Sequence, residues 1–347
     1  MMQCNLWTTG RILVLFFIGL LCACYYIFVV ELCILTVEVL EAKVTFLVIF
    51  HLLYLLCLWS YLRTVMTPPA VPPAKFRLSE ADKQLYLSDE RLEVLQEILD
   101  RMAKDLPIYT REISYCEKCQ ALKPDRCHHC PICDICVLKL DHHCVFLNNC
   151  VGFSNYKFFL QCIMYALLLC LFSCAVSLYC SILFWTHRVP DTNSKIPIIG
   201  MFVVTALFSL FLLLFAIAHF NLAIENVTDR EYSDDIEINP YDLGCSKNLR
   251  QVFGNEKRYW FLPIFSGLGD GYSFPMGDAA EDIEKNAESP PLGRPIIAGI
   301  GSLGENVCEF IDHFLQPLDL RFPSYLRDSG HLIHALNNFH WKQGEYK

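Results

Sequence analysis

Apolar positions along this chain come in unbroken runs. Ile12–Val30, Val44–Leu62, Phe158–Thr186 and Ile196–Ala218 contain no Asp, Glu, Lys or Arg. A helix needs about 20 apolar residues to cross a hydrocarbon core of about 30 Å, and each run is near or beyond that length. The first is too long for the apolar region of a signal peptide and lacks a small-residue cleavage pattern, so it reads as a retained anchor. The pattern predicts an α-helical multi-pass membrane protein with four transmembrane helices. The first two fall at about 12–36 and 44–64 within 1–65, the other two within 157–224.

Between the second and third runs the pattern changes. Thr67–Phe76, "TPPAVPPAKF", is a proline-rich linker that cannot be helical. Ser88 is then a candidate helix cap, with Asp89 and Glu90 in the first turn. Leu92, Leu95, Leu99, Met102 and Leu106 recur at helical spacing before Pro107 stops the run. This predicts an amphipathic cytosolic helix within 66–115, one face solvated and the other apolar; docking to a membrane surface or a partner is the alternative. Residues 116–156 form a cysteine-rich segment ending only a few residues before the third run. Extended chain spans at most ~3.5 Å per residue, so this segment must lie against the membrane face. After the fourth run, 225–275 has enough aromatic residues to pack. The rest, 276–347, begins with an acidic, Pro/Gly-punctuated stretch and reads as a flexible cytosolic tail. No internal repeat is evident.

The composition is 54% hydrophobic and the mean hydropathy +0.34, more apolar side chain than a soluble core buries. Twelve Lys/Arg lie in Met66–Lys157 and eleven follow the fourth run, whereas Glu31–Lys43 carries only Lys43. Cytosolic segments hold the Lys/Arg excess, so both termini and the central loop are expected in the cytosol. The net charge of −9 does not oppose this, since acidic residues contribute little to orientation. Asn226-Val227-Thr228, a formal glycosylation sequon, then lies on the wrong side for a glycan.

Eight of the nineteen cysteines fall in Cys116–Cys150. In a reducing cytosol such a cluster favours metal binding or catalysis over disulfides. The candidate ligands are Cys116, Cys119, His129, Cys130, Cys133, Cys136, His143 and Cys150. Six thiolates and two imidazoles complete two tetrahedral Cys3His zinc sites, and so short a segment with few aliphatic residues depends on them to fold. Cys127, His128, Asp141, His142 and Cys144 are left over. Two closed sites need no ninth ligand, so Cys144 is a free thiol. His142 can serve as its base, with Asp141 fixing the tautomer and stabilising the imidazolium.

The stretch "CEKCQALKPDRCHHCPICDICVLKLDHHCVFLNNCVGFSNYKFF", Cys116–Phe159, resembles the Asp-His-His-Cys (DHHC) family of protein S-acyltransferases, the palmitoyltransferases. The likeness extends through the four spans to about residue 275. It implies an enzyme that moves a long-chain acyl group from palmitoyl-CoA, through an acyl-Cys144 thioester, to cysteines of membrane-associated proteins. Cys144 would be the nucleophile, His142 the base and Asp141 its orienting acid. Cys116, Cys119, His129 and Cys136 would hold one structural zinc ion, and Cys130, Cys133, His143 and Cys150 the other. Asn239–Phe253 is similar to the family's C-terminal packing motif. Residues of the first and third spans set chain-length preference in the family, which points to Cys24 and Leu169. The compartments implied are the Golgi, the plasma membrane and the endoplasmic reticulum.

Three departures stand out. Val145 and Phe146 replace the Pro-Trp pair that usually follows the signature. The Thr-Thr-x-Glu motif after span four is only partly present in Asn226–Glu231, and Cys127 replaces a small residue. Phe146 still offers an apolar ring to the acyl chain. Lys123, Arg126 and Lys139 are the cations on hand for the CoA phosphates, although a solvated basic surface explains them equally well. His51 and His219, inside the spans, read as packing residues. A catalytically silent zinc-domain adaptor is the competing class. A nucleic-acid module fits poorly with an acidic, membrane-embedded chain.

Overall fold

The computed structural model describes residues 2–89, 92–104, 106, 114–187, 193–233, 239–277 and 297–298. Most of the tail beyond residue 277, read from sequence as flexible, lies outside these residues. Four long apolar helices are the expected spans. Helix α1, Met2–Tyr26, runs without a break into a π-helical segment, Ile27–Ile34. Helix α2 is Leu40–Met66. Helices α3, Glu80–Asp89, and α4, Leu92–Lys104, come before the cysteine-rich segment, and α5, Tyr156–Trp185, and α6, Lys195–Glu225, follow it. The first span begins earlier than its charge-free run. Nothing from Met2 to Gly10 breaks a helix, and one arginine, Arg11, does not stop it.

The core between the spans centres on Phe28 and Phe50, stacked with ring centroids 4.0 Å apart, and on Cys180, Phe184 and Ile198, all fully buried. A second cluster lies at the other end of the bundle. There Tyr61, Phe159, Leu160 and Ala223 pack against Leu147 and Val151 of the cysteine-rich module and Val252 and Phe253 of α8, Cys245–Phe253. The module therefore shares a core with the spans.

The apolar stripe of α4 does not face water or lipid. Leu95, Ile98 and Leu99 pack on Phe76, Leu78, Tyr115 and Leu122, which belong to the linker and the module. Ser88, expected as the cap of this helix, lies inside α3. The cap of α3 is Ser79, whose hydroxyl accepts the Asp82 N–H at 3.1 Å.

Three short antiparallel hairpins make up the module. Strand β1, Ser114–Cys116, pairs with β2, Ala121–Lys123; β3, His128–Cys130, with β4, Ile135–Val137; and β5, His142–Cys144, with β6, Asn149–Val151. In each, the first strand ends on a cysteine, giving the cross-strand pairs Cys116↔Ala121, Cys130↔Ile135 and Cys144↔Asn149. A residue at positive φ closes each turn: Gln120 (46°), Asp134 (55°) and Asn148 (47°). The module is thus a threefold repeat, which overturns the reading of no internal repetition. Only the terminal cysteine recurs in all three copies, so the sequence signal is faint.

Beyond α8, the chain around Tyr259–Ser266 is strapped along α5. Lys157 Nζ donates to Tyr259 O (2.6 Å), Ile264 O (2.9 Å) and Ser266 Oγ (2.8 Å). Gln161 Nε2 donates to Trp260 O and Leu262 O, and the Tyr165 hydroxyl to Phe261 O. Irregular backbone beside an apolar span needs its carbonyls satisfied. Three polar side chains near the start of α5 do so.

Candidate active site and metal centres

The hairpin repeat explains how the ligand clusters form. Cys116 and Cys119 come from the first turn and meet His129 and Cys136, a directly paired couple on the second hairpin. Cys130 and Cys133 from the second turn meet His143 and Cys150, the same couple on the third. Each turn supplies two thiols to the cross-strand pair of the next hairpin. Within each cluster all donor atoms lie within 4.8 Å of one another. His129 Nδ1 is 3.5, 3.4 and 3.9 Å from the sulfurs of Cys116, Cys119 and Cys136. His143 Nδ1 is 3.6, 3.4 and 3.5 Å from those of Cys130, Cys133 and Cys150. Tetrahedral zinc bonds of about 2.3 Å to sulfur and 2.0–2.1 Å to nitrogen would separate donors by about 3.6 Å. Both clusters fit that ion.

The third turn breaks the pattern. It opens with Cys144 but has Leu147, buried in the shared core, where the second thiol would stand. Among the described residues no further hairpin follows it, because α5 begins at Tyr156. Cys144 holds the position of a metal-binding thiol with nothing to complete its site.

Beside it, His142 Nδ1 donates to Asp141 Oδ2 at 2.8 Å, and the Cys144 thiol is close enough to act on the same imidazole. Burial would lower the imidazole pKa. The hydrogen bonds to Asp141 and Cys144, with their negative charge, outweigh it and push it up to about 10. Asp141 is itself 3% exposed. Its Oδ1 accepts the backbone N–H of Asp229 at 2.9 Å, and its own N–H donates to Val151 O. The loop after Cys144 is pinned from α2. Tyr61 Oη donates to Phe146 O at 3.3 Å, and Asn149 Nδ2 donates to Thr64 O, Val65 O and Thr67 O at 2.9–3.2 Å.

Cys144 also lines a cavity of about 680 Å³ among the spans, almost wholly apolar. Its wall includes Phe17 and Cys24 of α1, Cys162 and Leu169 of α5, and Phe146, whose ring meets Phe17 edge-on at 5.4 Å. The volume is in the range of small-ligand sites. Cys24 and Leu169, marked from sequence by resemblance alone, both face it.

Two of the three expected phosphate-binding cations are engaged inside the protein. The Arg126 side chain is 1% exposed and forms a two-point pair with Glu231, Nε–Oε1 and Nη2–Oε2 both 2.6 Å. It also donates to Asn226 O and Oδ1 and stacks on Tyr241 and Phe274. Lys139 Nζ donates to Asn226 Oδ1 at 2.8 Å, and burial, then the Arg126 charge, push it down to about 7. Both belong to a buried hub that joins the module to the segment after α6, so neither is available to a ligand. Lys123 is half-buried at the end of β2. Asn226, only 4% exposed and bonded on both sides, is no glycan acceptor.

The incomplete Thr-Thr-x-Glu motif keeps its working parts. Helix α7, Asp229–Ser233, has a reciprocal cap: Glu231 N donates to Thr228 Oγ1 and Thr228 N to Glu231 Oε2. Glu231 thereby clasps Arg126, and Asp229 presents its N–H to Asp141. Cys127 is buried beside Cys116 and Cys136. Of the two span histidines, His51 bonds Tyr25 Oη and Leu47 O. His219 does not behave as a satisfied packing residue: its ring stands 5.6 Å from that of His142. Neither His219, read from sequence as packing, nor Asp229, inside the partial motif, was expected beside Asp141, since both reach the site from far along the chain.

A four-span membrane protein in which paired Cys3His clusters hold a thiol–imidazole–carboxylate group over an apolar cavity is an architecture suited to thioester chemistry on lipids. Residues 109–236 match the family model described as DHHC palmitoyltransferase. Palmitoyltransferase ZDHHC2 of Danio rerio is 46% identical over 296 residues, 82% of this chain and 82% of that protein. Human palmitoyltransferase ZDHHC2 is 46% identical over 293 residues, 82% of this chain and 78% of its own length. Human palmitoyltransferase ZDHHC20 is 47% identical, covering 82% and 81%. The chain belongs to the DHHC palmitoyltransferase family and is a protein S-palmitoyltransferase.

Proposed function

We propose that Cys144 is the acyl carrier. Its thiolate attacks the thioester carbonyl of a long-chain acyl-CoA. The carbon–sulfur bond to CoA breaks, the CoA sulfur takes the proton from His142, and the acyl group stays on Cys144. In the second half His142 removes the proton of an incoming protein thiol. The new thiolate displaces Cys144, whose sulfur returns to the imidazolium. Asp141 keeps Nδ1 protonated and the ring aimed at the sulfur throughout. The two Cys3His clusters hold structural zinc ions, which supply rigidity to the hairpins and no reacting group.

The observation that carries this reading is the position of Cys144, two residues along β5 from the Asp141-bonded His142 and facing the apolar cavity. Burying each methylene is worth about 0.8 kcal/mol, so a sixteen-carbon chain gains on the order of 10 kcal/mol there. Phe146, Cys24 and Leu169 line the chain's path, and Lys123 is the remaining cation of the three for the CoA phosphates. The Lys/Arg excess supports cytosolic termini and a cytosolic module. Cysteine-bearing membrane-associated proteins are the acceptors, in a Golgi, endoplasmic reticulum or plasma membrane.

Purified protein incubated with palmitoyl-CoA should release CoA and carry one adduct cleaved by neutral hydroxylamine. Cys144→Ser should abolish both while keeping about two zinc ions per chain. A variant that lost a metal would show Cys144 to be a ligand, and unchanged CoA release would remove it from the chemistry.

A further inference from the structure

The carboxylate of Asp141 is approached by two imidazoles. His142 Nδ1 donates to Oδ2 at 2.8 Å, and Asp229 N–H occupies Oδ1. His219 Nδ1 stands 3.8 Å from the same Oδ2. The His219 side chain is 7% exposed, and its Nδ1 has no hydrogen-bond partner among the described residues. Buried nitrogens are seldom left unpaired, because desolvation is costly without a partner. Nine apolar residues, Leu210–Ala218, precede His219 on α6, and an aliphatic side chain would fill the space more cheaply.

Its surroundings aim it. The ring meets Phe215 at 4.4 Å and Phe159 at 4.9 Å, both edge-to-face, and Tyr156 Oη donates to His219 O at 3.4 Å. Phe159 also packs edge-on against His142 at 5.2 Å. One phenylalanine therefore fixes the planes of both imidazoles about the same carboxylate.

We infer that His219 is a positioning residue for the acyl transfer, its Nδ1–H acting as second donor to Asp141 Oδ2. The gap of 3.8 Å closes with a small tilt of either group. While His142 follows the proton between Cys144, CoA and the acceptor thiol, its bond to Oδ2 slackens. His219 then keeps the carboxylate from turning away, so the imidazole returns to the same place. This role acts through Asp141 and rests on the mechanism proposed above.

Two substitutions separate positioning from packing. His219→Phe keeps an aromatic ring and removes the donor; His219→Asn loses ring volume and keeps an amide N–H near the place of Nδ1. Acyl-enzyme formation is measured across palmitoyl-CoA concentration, with zinc content alongside. His219→Phe should lower the maximal rate about tenfold with KM within about twofold, and His219→Asn should recover most of that loss. The reverse order, or equal rates in both, overturns the inference. A second readout leaves position 219 intact. With histidine labelled at its ring nitrogens, Asp141→Asn should shift the His219 Nδ1 resonance, and an unmoved signal overturns the inference even if the His219 variants fold poorly. Failure of Cys144→Ser to abolish the adduct would instead strike at the mechanism itself.

Discussion

His142 and His143 are chain neighbours with side chains on opposite faces of β5, as strand alternation requires. One faces the sulfur of Cys144, the other a ligand cluster. His142→Ala should suppress acyl-enzyme formation with little change in zinc or folded yield. His143→Ala should lose about one zinc per chain, folded protein and activity together. Metal analysis of the two purified variants decides it, and equal zinc content would sink the assignment. Arg126→Ala leaves Glu231 buried without its partner, which typically costs ~3–5 kcal/mol. Its melting temperature in detergent should fall well below that of the parent. Arg126→Lys should recover only part, because an ammonium cannot reproduce the two-point fork. At this scale the sequence was legible where chemistry clusters locally. In Cys116–Cys150 the spacing and count pointed to the two residue groups that the fold brings together, and to Cys144 outside them. Arg126 read equally as a surface cation, because its partners Asn226 and Glu231 lie about a hundred residues away. His219 was unreadable for the same reason.

Among the elements, the spans were plain in the sequence because burial in lipid disfavours charge, which is confined to their ends. The hairpins were hidden. Three-residue strands are too short for alternation to show, and metal ligands replace the apolar residues that would carry it. The third turn, with Val145 and Phe146, is where this chain leaves its family's usual pattern. Phe146 packs against Phe17 and its carbonyl is held by Tyr61. Phe146 is 48% exposed beside the cavity and would be covered by a bound acyl chain, so Phe146→Ala should weaken acyl-CoA use by about 1–3 kcal/mol, read as kcat/KM for CoA release. The double variant Val145→Pro, Phe146→Trp should match or exceed the parent under saturating palmitoyl-CoA, since proline narrows the loop's conformations. A clear fall would mean that the cavity mouth is shaped around the native pair.

For the molecule as a whole, the spans and the module depend on different forces. The bundle is held by apolar packing around Phe28 and Phe50, the module by its two ligand clusters and the Arg126 hub. Stripping the metal with a strong chelator should therefore abolish acyl-enzyme formation while most helical circular dichroism survives. Loss of both in one transition would show that the spans cannot stand without the module. Returning zinc should restore activity, because the linker, α4 and the α5 strap still bracket the unfolded hairpins.

Leu147 has a meaning that reaches beyond the fold. A cell contains exchangeable zinc and copper, and two thiols three residues apart beside an imidazole form a ready trap for such ions. The first two turns are that trap; the third is disarmed by a leucine. On the proposed mechanism, Cys144 can thus keep the geometry of a metal-binding turn without being poisoned by the metals its neighbours would bind. Leu147→Cys should fold and bind its two zinc ions, yet its acylation should fail at zinc or cadmium concentrations that leave the parent untouched. Dose–response curves for the two proteins would reveal whether one aliphatic side chain separates an enzyme from a third metal site.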